Sequence, residues 1–375
     1  MKKLHDRDKK IRKISGGENV KKPVWLKKAI IKHNIVKLTF KCFYFFKSDK
    51  KLGENNILVT QLDGIGDGVI RLGLLKILAE KYGKENIVVL TKNCYEILEM
   101  EGYKVIKCEN LFHLNIFKLM KIYEQLKKYN FKKLYMFEFH RDKEGDFLLN
   151  FNFDKVYAYE SSDIEKWKKR FDIKLIPKGN NKILETVYNF AKEINGNVKR
   201  DAIKPKLHIP TKESDYIAVG IGAGADNRVT APEVLTEFLN YIVNDQPNVK
   251  FHILGNGKNQ EKYYQKLEKY IDNKNIINFV GKLNLVETVK QIAEAKLYIG
   301  FDSGLYNIAY VLDKKILAIV SLESQVFHHE SPKIGLVYKK PDSGQVRNIN
   351  DKAYTNENLN QIPLERFIEK YNLLK

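Results

Sequence analysis

Short apolar runs alternate with amphipathic stretches from residue 57 to residue 320 of this chain. Apolar runs such as residues 57–61 and 133–139 have the length of strands buried on both faces, whereas residues 69–82 show the spacing of a helix. Alternation of this kind predicts parallel sheets with helices on both faces. The rhythm stops in the polar stretch 195–210, which carries two prolines, and then restarts. The sequence therefore predicts two α/β domains in succession.

The pattern divides the chain into four segments. We predict a basic amphipathic arm over residues 1–54, a first Rossmann-like domain over residues 55–200, a second over residues 201–345, and a tail over residues 346–375. The tail contains a helical stretch from residue 363 to residue 374, which we expect to pack back on the first domain.

Charge changes the picture only for the arm. Residues 1–54 carry 17 Lys/Arg against 5 Asp/Glu, a net charge of +12 out of the +20 of all 375 residues. Aromatic and aliphatic residues alternate with these lysines, which is typical of a helix lying at an anionic membrane surface. An amphipathic helix packed on the catalytic body is the equal alternative. Binding to nucleic acid is not expected, because no nucleic-acid motif accompanies the charge.

Two glycine-bearing turns, one in each half, stand where a predicted strand ends and a helix begins. The first runs Asp63-Gly64-Ile65-Gly66-Asp67, and the second runs Asp302-Ser303-Gly304-Leu305 and continues to Asn307. Small residues in the first turn of a helix leave backbone N–H groups free to hold an anion such as a diphosphate. Two such turns predict two nucleotide-type domains that face each other across a cleft.

The aspartates of these turns have two interpretations. Asp67 stands at the carboxyl end of a strand, where open α/β sheets bind ligands, and could take a proton from an attacking hydroxyl. Alternatively it caps the helix, which is common and worth about 1 kcal/mol. Asp302 has the same two interpretations, as a helix cap or as a ligand contact.

A further glycine loop, residues 220–225, fits Gly-x-Gly-x-x-Ala, the dinucleotide fingerprint. The fit is weak, since six residues separate Ala225 from the predicted helix at Pro232. The next strand also lacks the acidic residue that would bind a ribose.

Other classes are excluded by what the sequence lacks. It has no Gly-x-Ser-x-Gly elbow, no phosphate-binding Walker loop and no run of 18 apolar residues. Three scattered cysteines and no signal-peptide pattern lead us to expect a cytosolic protein.

These residues, in this order, resemble glycosyltransferase family 9, the heptosyltransferases that build the lipopolysaccharide inner core. The resemblance covers roughly residues 56–335 and rests on three pieces: the strand and loop ending in Gly66-Asp67, the strand followed by Gly224-Ala225, and the Asp302–Leu305 turn with its helix and strand. It implies a GT-B fold, an ADP-activated heptose donor in the second domain, and an inverting transfer that needs no metal and no cofactor. The enzyme would be peripheral on the inner face of a bacterial inner membrane.

Family positions carry over to this chain one by one. Asp67 stands where the family has its proposed general base. The donor-binding set that we expect is Gly224, Ala225, Arg228, Leu283, Asp302, Ser303, Gly304, Leu305 and Asn307. Within it, Ser303 to Leu305 match the diphosphate turn, and Leu283 matches a position lining the adenine pocket.

Three positions depart from the family. Asn307 stands where the family often has His, Arg228 is about one residue out of register with the family's Lys, and Gly73 replaces a Pro. The first two bear on the identity of the donor.

The acceptor belongs on the first domain. We expect Asp63 and Arg141 on that side, where Arg141 could pair with an acidic sugar or phosphate or be an ordinary loop arginine. The predicted activity is transfer of a sugar, expected to be heptose, from an ADP-sugar to a lipopolysaccharide-core or related lipid-linked glycan. The alternatives are a dinucleotide-dependent oxidoreductase and a non-catalytic, membrane-associated sugar-binding protein.

Overall fold

A computed structural model of the chain describes residues 52–108, 116–138, 147–149, 151–160, 165–177, 183–224, 228–321, 331–339 and 359–375. Nearly all of the predicted basic arm, together with Arg141 and Ala225, lies outside these residues. Residues 52–54, which we assigned to the arm, instead begin the first strand.

The first sheet has six strands, all parallel. In chain order these are β1 (Leu52–Gln61), β2 (Ile87–Thr91), β3 (Lys104–Lys107), β4 (Tyr129–Met136), β5 (Lys155–Tyr159) and β6 (Ile173–Ile176). Their spatial order is β3-β2-β1-β4-β5-β6, so the chain crosses over between β3 and β4 as in a Rossmann fold. The helices are α1 (Ile65–Ile70), α2 (Leu72–Tyr82), α3 (Tyr95–Met100), α4 (Ile116–Lys127), α5 (Glu165–Lys168) and α6 (Ile183–Ile194).

The second sheet repeats this arrangement. Its parallel strands are β7 (Ser214–Gly220), β8 (Lys250–Leu254), β9 (Ile276–Asn278), β10 (Ala295–Phe301), β11 (Ile316–Ile319) and β12 (Ile334–Val337), in the order β12-β11-β10-β7-β8-β9. Its helices are α7 (Pro232–Asp245), α8 (Lys258–Leu267), α9 (Leu285–Glu294), α10 (Gly304–Val311) and α11 (Leu364–Asn372). The predicted α/β class with two facing Rossmann-like sheets is thereby confirmed.

Local sequence explains these elements. All five residues of β2 are buried, as expected for a parallel strand covered by helices on both faces. Helix α6 buries Ile183, Val187, Phe190 and Ile194, whose spacing places them on one face. Pro232 is the first residue of α7, as predicted, because its missing N–H would have had no partner inside the helix.

The last helix is where the prediction was wrong. Helix α11 packs on the second domain, against α7 and β12, and not on the first. The Phe367 ring lies 5.1 Å from the ring of Phe238, and Tyr371 stands edge-on to the same ring at 5.9 Å. Helical periodicity shows that such a segment has an apolar face, but it does not show which complementary surface that face will cover.

Nothing in the described part of the chain offers a helix both long enough and apolar enough to cross a bilayer.

Candidate active site between the two glycine turns

The first turn leads from β1 into the six-residue helix α1. Gly64 is the N-cap of that helix, and no side chain caps it. Asp67 is the third helical residue, so interpreting it as the cap is wrong. Its carboxylate lies in the first turn, where the positive end of the helix dipole favours an ionised acid. The structure therefore places Asp67 beside the carboxyl end of the central strand, in the first turn of α1.

The second turn leads from β10 into α10. Here Ser303 is the N-cap, and its hydroxyl accepts a hydrogen bond from the Tyr306 N–H at 3.4 Å. The Asn307 side chain donates to the Ser303 carbonyl at 3.2 Å, which fixes the amide against the same turn. Asp302 therefore does not cap this helix either. The first N–H groups of α10 have no acceptor within the helix, as at any helix N-terminus.

Asp302 holds an arginine at the second turn. Its buried carboxylate accepts a hydrogen bond from Nη1 of Arg228 at 3.2 Å. Burial raises the pKa of Asp302, the Arg228 guanidinium acts in the opposite direction, and the charge of Asp67 raises that pKa further. The structure thus pairs Arg228 with the second glycine turn, and it brings Asp67 close enough to Asp302 to raise the pKa of that acid.

The two turns lie in direct contact. A side chain added at Gly66 would overlap the amide of Asn307, and its Cβ would lie 3.4 Å from Cα of Gly304. A Cβ at Gly304 would in turn lie 3.4 Å from Cβ of Ile65 and 3.5 Å from the Gly66 nitrogen. Helices α1 and α10 therefore meet at Gly66 and Gly304. This contact brings the helix that carries Asp67 to the second glycine turn.

A buried charge cluster lies beneath the first turn. Arg71, which is fully buried, donates from Nη2 to the Asp63 carboxylate at 2.7 Å. Glu138, also buried, accepts a hydrogen bond from the Thr60 hydroxyl at 2.8 Å. Burial, together with the charge of Asp63, raises the pKa of Glu138 to about 7. Asp63, expected on the acceptor side, is thus also an ion-pair partner inside the first domain.

Sequence reasoning missed Arg71 and Glu138. The available signal for Arg71 was a single basic residue inside the apolar run 69–75. Such a residue needs a buried anionic partner, because an unpaired charge in a core is costly. Glu138 had a weaker signal, as an acid at the end of a strongly apolar strand.

Two other residues of the expected donor-binding set, Gly224 and Leu283, show no such contact with the second glycine turn among the described residues. Gly224 is exposed, and a Cβ there would meet no heavy atom within 4 Å among the described residues, which exclude 225–227. Leu283 is half-buried against the core that includes α9. No group of His, Cys, Asp and Glu side chains suited to a metal ion occurs among the residues described.

The dinucleotide fingerprint has a packing explanation. A Cβ at Gly220 would overlap the hydroxyl of Tyr298 on the neighbouring strand. A Cβ at Gly222 would lie 2.7 Å from the amide nitrogen of Gln260. Helix α7 begins only at Pro232, so these glycines do not lie at the start of a helix as the fingerprint requires.

Comparisons with known proteins relate the second domain to a known family. The model of glycosyltransferase family 9 (heptosyltransferase) matches residues 204–333, a stretch that contains the second glycine turn. These residues form a glycosyltransferase family 9 domain. The match confirms the predicted resemblance and, with it, the predicted enzyme class, a glycosyltransferase. A comparison with curated protein sequences gave no match.

Solved structures show the same fold. A family 9 glycosyl transferase from Veillonella parvula is 14% identical over 87% of this chain and 99% of its own, with a TM-score of 0.67. The E. coli ADP-heptose lps heptosyltransferase II is 16% identical over 85% of this chain and 98% of its own, with a TM-score of 0.64. E. coli heptosyltransferase WaaC, solved with ADP-2-deoxy-2-fluoro heptose, is 12% identical over 84% of this chain and 99% of its own, with a TM-score of 0.64. At these identities the likeness establishes the fold.

The glycine contact yields a prediction about coupling. Gly66→Ala should force the Asn307 amide away from the Ser303 carbonyl, at a cost of about 1 kcal/mol for the lost hydrogen bond. Asn307→Ala removes the same bond, so the double variant should be about 1 kcal/mol more stable than the sum of the single effects predicts. Urea unfolding of the four proteins measures this coupling.

Gly64→Ala is the matched control, because a Cβ there meets nothing closer than the Asp67 carboxylate at 3.5 Å. It should show no coupling to Asn307→Ala. Strict additivity of Gly66→Ala and Asn307→Ala would mean that the two turns do not touch in solution.

Proposed function

We propose that this protein transfers a heptose from an ADP-activated donor to a hydroxyl of a lipopolysaccharide-core or related surface glycan, with inversion and without a metal. The observation that supports the proposal is the contact between α1, which carries Asp67, and the first turn of α10, together with the effect of the Asp67 charge on Asp302. Two of the similar structures carry names that include ADP-heptose or heptose transfer, and these names support the choice of donor.

The proposed reaction is a single displacement. Asp67 accepts the proton of the acceptor hydroxyl while the acceptor oxygen forms a bond to the anomeric carbon. The bond from that carbon to the diphosphate oxygen breaks on the opposite face, so the configuration inverts. A positioned general base contributes about 10²–10⁴-fold to such a step.

The second domain stabilises the leaving diphosphate. The first N–H groups of α10, from Ser303 to Leu305, and the positive end of its dipole meet the developing negative charge. Arg228, partly exposed and held by Asp302, supplies a full positive charge to the same place. These groups take the role that a metal ion has in other sugar transferases, which is why the proposal includes none.

The acceptor side depends on residues that the structure does not describe. Arg141 remains a proposed acceptor contact, and the basic arm a proposed membrane contact. The arm's lysines are suited to anionic lipid headgroups, and a lipid-linked acceptor would lie at that surface.

Asp67→Asn tests the chemical step. Because Asp67 is not the helix cap, the amide should leave folding nearly unchanged while removing the base. We expect kcat for transfer from an ADP-heptose to fall by about 10²-fold or more with donor affinity little changed. Glu365→Gln, in the first turn of the remote α11, is the control for loss of an acid at that helix position. Turnover near the wild-type rate in Asp67→Asn would show that Asp67 is not the general base. A wild-type protein that turns over no sugar nucleotide would favour the alternative of a non-catalytic sugar-binding protein.

Arg228→Gln tests the donor site. Losing the guanidinium should weaken ADP binding about tenfold, equivalent to about 1.4 kcal/mol, as measured by calorimetry. Arg366→Gln removes the same charge from α11, far from the turn, and should leave affinity unchanged. Equal affinities in wild type and Arg228→Gln would place the diphosphate elsewhere.

Deleting residues 1–50 tests the arm. The deletion ends before β1, so the first sheet should remain intact. Binding to anionic vesicles should be lost, since each lysine near the surface contributes about 1 kcal/mol, while ADP affinity stays the same. Vesicles of zwitterionic lipid are the control. A truncated protein that binds anionic vesicles equally well, or that unfolds, would show that the arm is structural.

A further inference from the structure

Arg71 is a charged residue with no exposed side-chain surface. It lies at the junction of two helices, as the C-cap of α1 and the N-cap of α2, and its backbone N–H bonds back to the carbonyls of Gly68 and Val69. Burying a guanidinium is costly unless it is paired and hydrogen-bonded. The burial of a charged residue beside the first glycine turn therefore needs an explanation.

The pairing spans the helix that carries Asp67. Asp63 precedes α1, Arg71 follows it, and the two side chains join at 2.7 Å. The Asn93 side chain holds the same turn by donating to the Asp63 carbonyl at 2.8 Å. A helix of six residues is too short to be stable alone. The ion pair from one end of α1 to the other therefore holds in place the helix that carries Asp67.

Several titratable side chains surround Arg71. The titratable groups that interact with it are Asp63, Asp67, Cys94, Glu138 and Tyr159. Burial by itself lowers the pKa of Arg71, but the charges of Asp63 and then Asp67 reverse this and raise it. The guanidinium is thus a permanent cation that interacts with both carboxylates of the turn.

We propose that Arg71 is a positioning residue for the transfer, holding α1 through Asp63 and keeping Asp67 in the carboxylate form that accepts the acceptor's proton. This inference rests on the proposed function. A nearby cation favours the ionised form of an acid, and the effect is strong where water is excluded. Asp302, which interacts with Asp67, acts in the opposite sense as a neighbouring acid, and Arg71 offsets it.

The test is the pH dependence of kcat in Arg71→Met and Arg71→Lys. Without the cation, Asp67 should hold its proton to higher pH, so the acidic limb of the profile should move up by about one pH unit or more. Arg71→Lys keeps the charge but loses the planar fork, so kcat should fall while the limb stays near its wild-type pH. A residue that only supports the fold would lower stability without separating these two variants.

Three controls complete the design. Lys76→Met removes an exposed lysine from α2 and should leave the limb in place. Asp63→Asn breaks the ion pair but keeps the cation, so it should lower kcat without moving the limb to higher pH. Should Arg71→Met not fold, Arg71→Gln removes the same charge and should move the limb in the same direction. Glu138→Gln asks whether the limb belongs to Glu138, whose pKa of about 7 falls in the same range.

The outcomes separate the two proposals. If the wild type is active and the acidic limb does not move in Arg71→Met, the proposed role of Arg71 is wrong while the proposed function stands. The same follows if the limb moves equally in Arg71→Lys. A limb that disappears in Glu138→Gln, or one that moves up in Asp63→Asn, overturns the role of Arg71 too. A wild type that transfers no sugar overturns the proposed function and this inference together.

Discussion

Two helices approach so closely at their N-terminal ends that a side chain at Gly66 would overlap a side chain of the other helix. Gly66 of α1 and Gly304 of α10 supply the space, and the Asn307 amide closes over Gly66. Each helix begins where the central strand of its own sheet ends, so the contact aligns the two sheets at their ligand-binding edges. The position of Asp67 relative to the second glycine turn follows from this contact between α1 and α10.

The contact has an electrostatic cost, since it brings the acids Asp67 and Asp302 near each other. Each domain offsets this with its own arginine. Arg228 pairs with Asp302 at the open side of the cleft, and Arg71 interacts with Asp63 and Asp67 from within the first domain. The exposed arginine can turn to a ligand, whereas the buried one cannot. This difference is why we propose Arg228 as a donor contact and Arg71 as a positioning residue.

Much of this could be predicted from the sequence, because strand and helix periodicity and glycine spacing are local properties. The two sheets, the start of α7 at Pro232 and the meeting of two glycine turns all follow from such patterns. Non-local choices were not predictable. The surface that α11 covers depends on the aromatic face of α7, and the caps went to Gly64 and Ser303 because backbone angles at each strand end decided them. The pairing of Arg71 with Asp63 required the fold itself.

The most direct test of the central claim is the crystal structure of the protein with bound ADP. The account predicts the diphosphate on the first N–H groups of α10, with Arg228 beside it and the Asp67 carboxylate facing it across the cleft. A diphosphate bound along residues 220–224 with the start of α10 unoccupied, or one from which Asp67 is turned away, would contradict it.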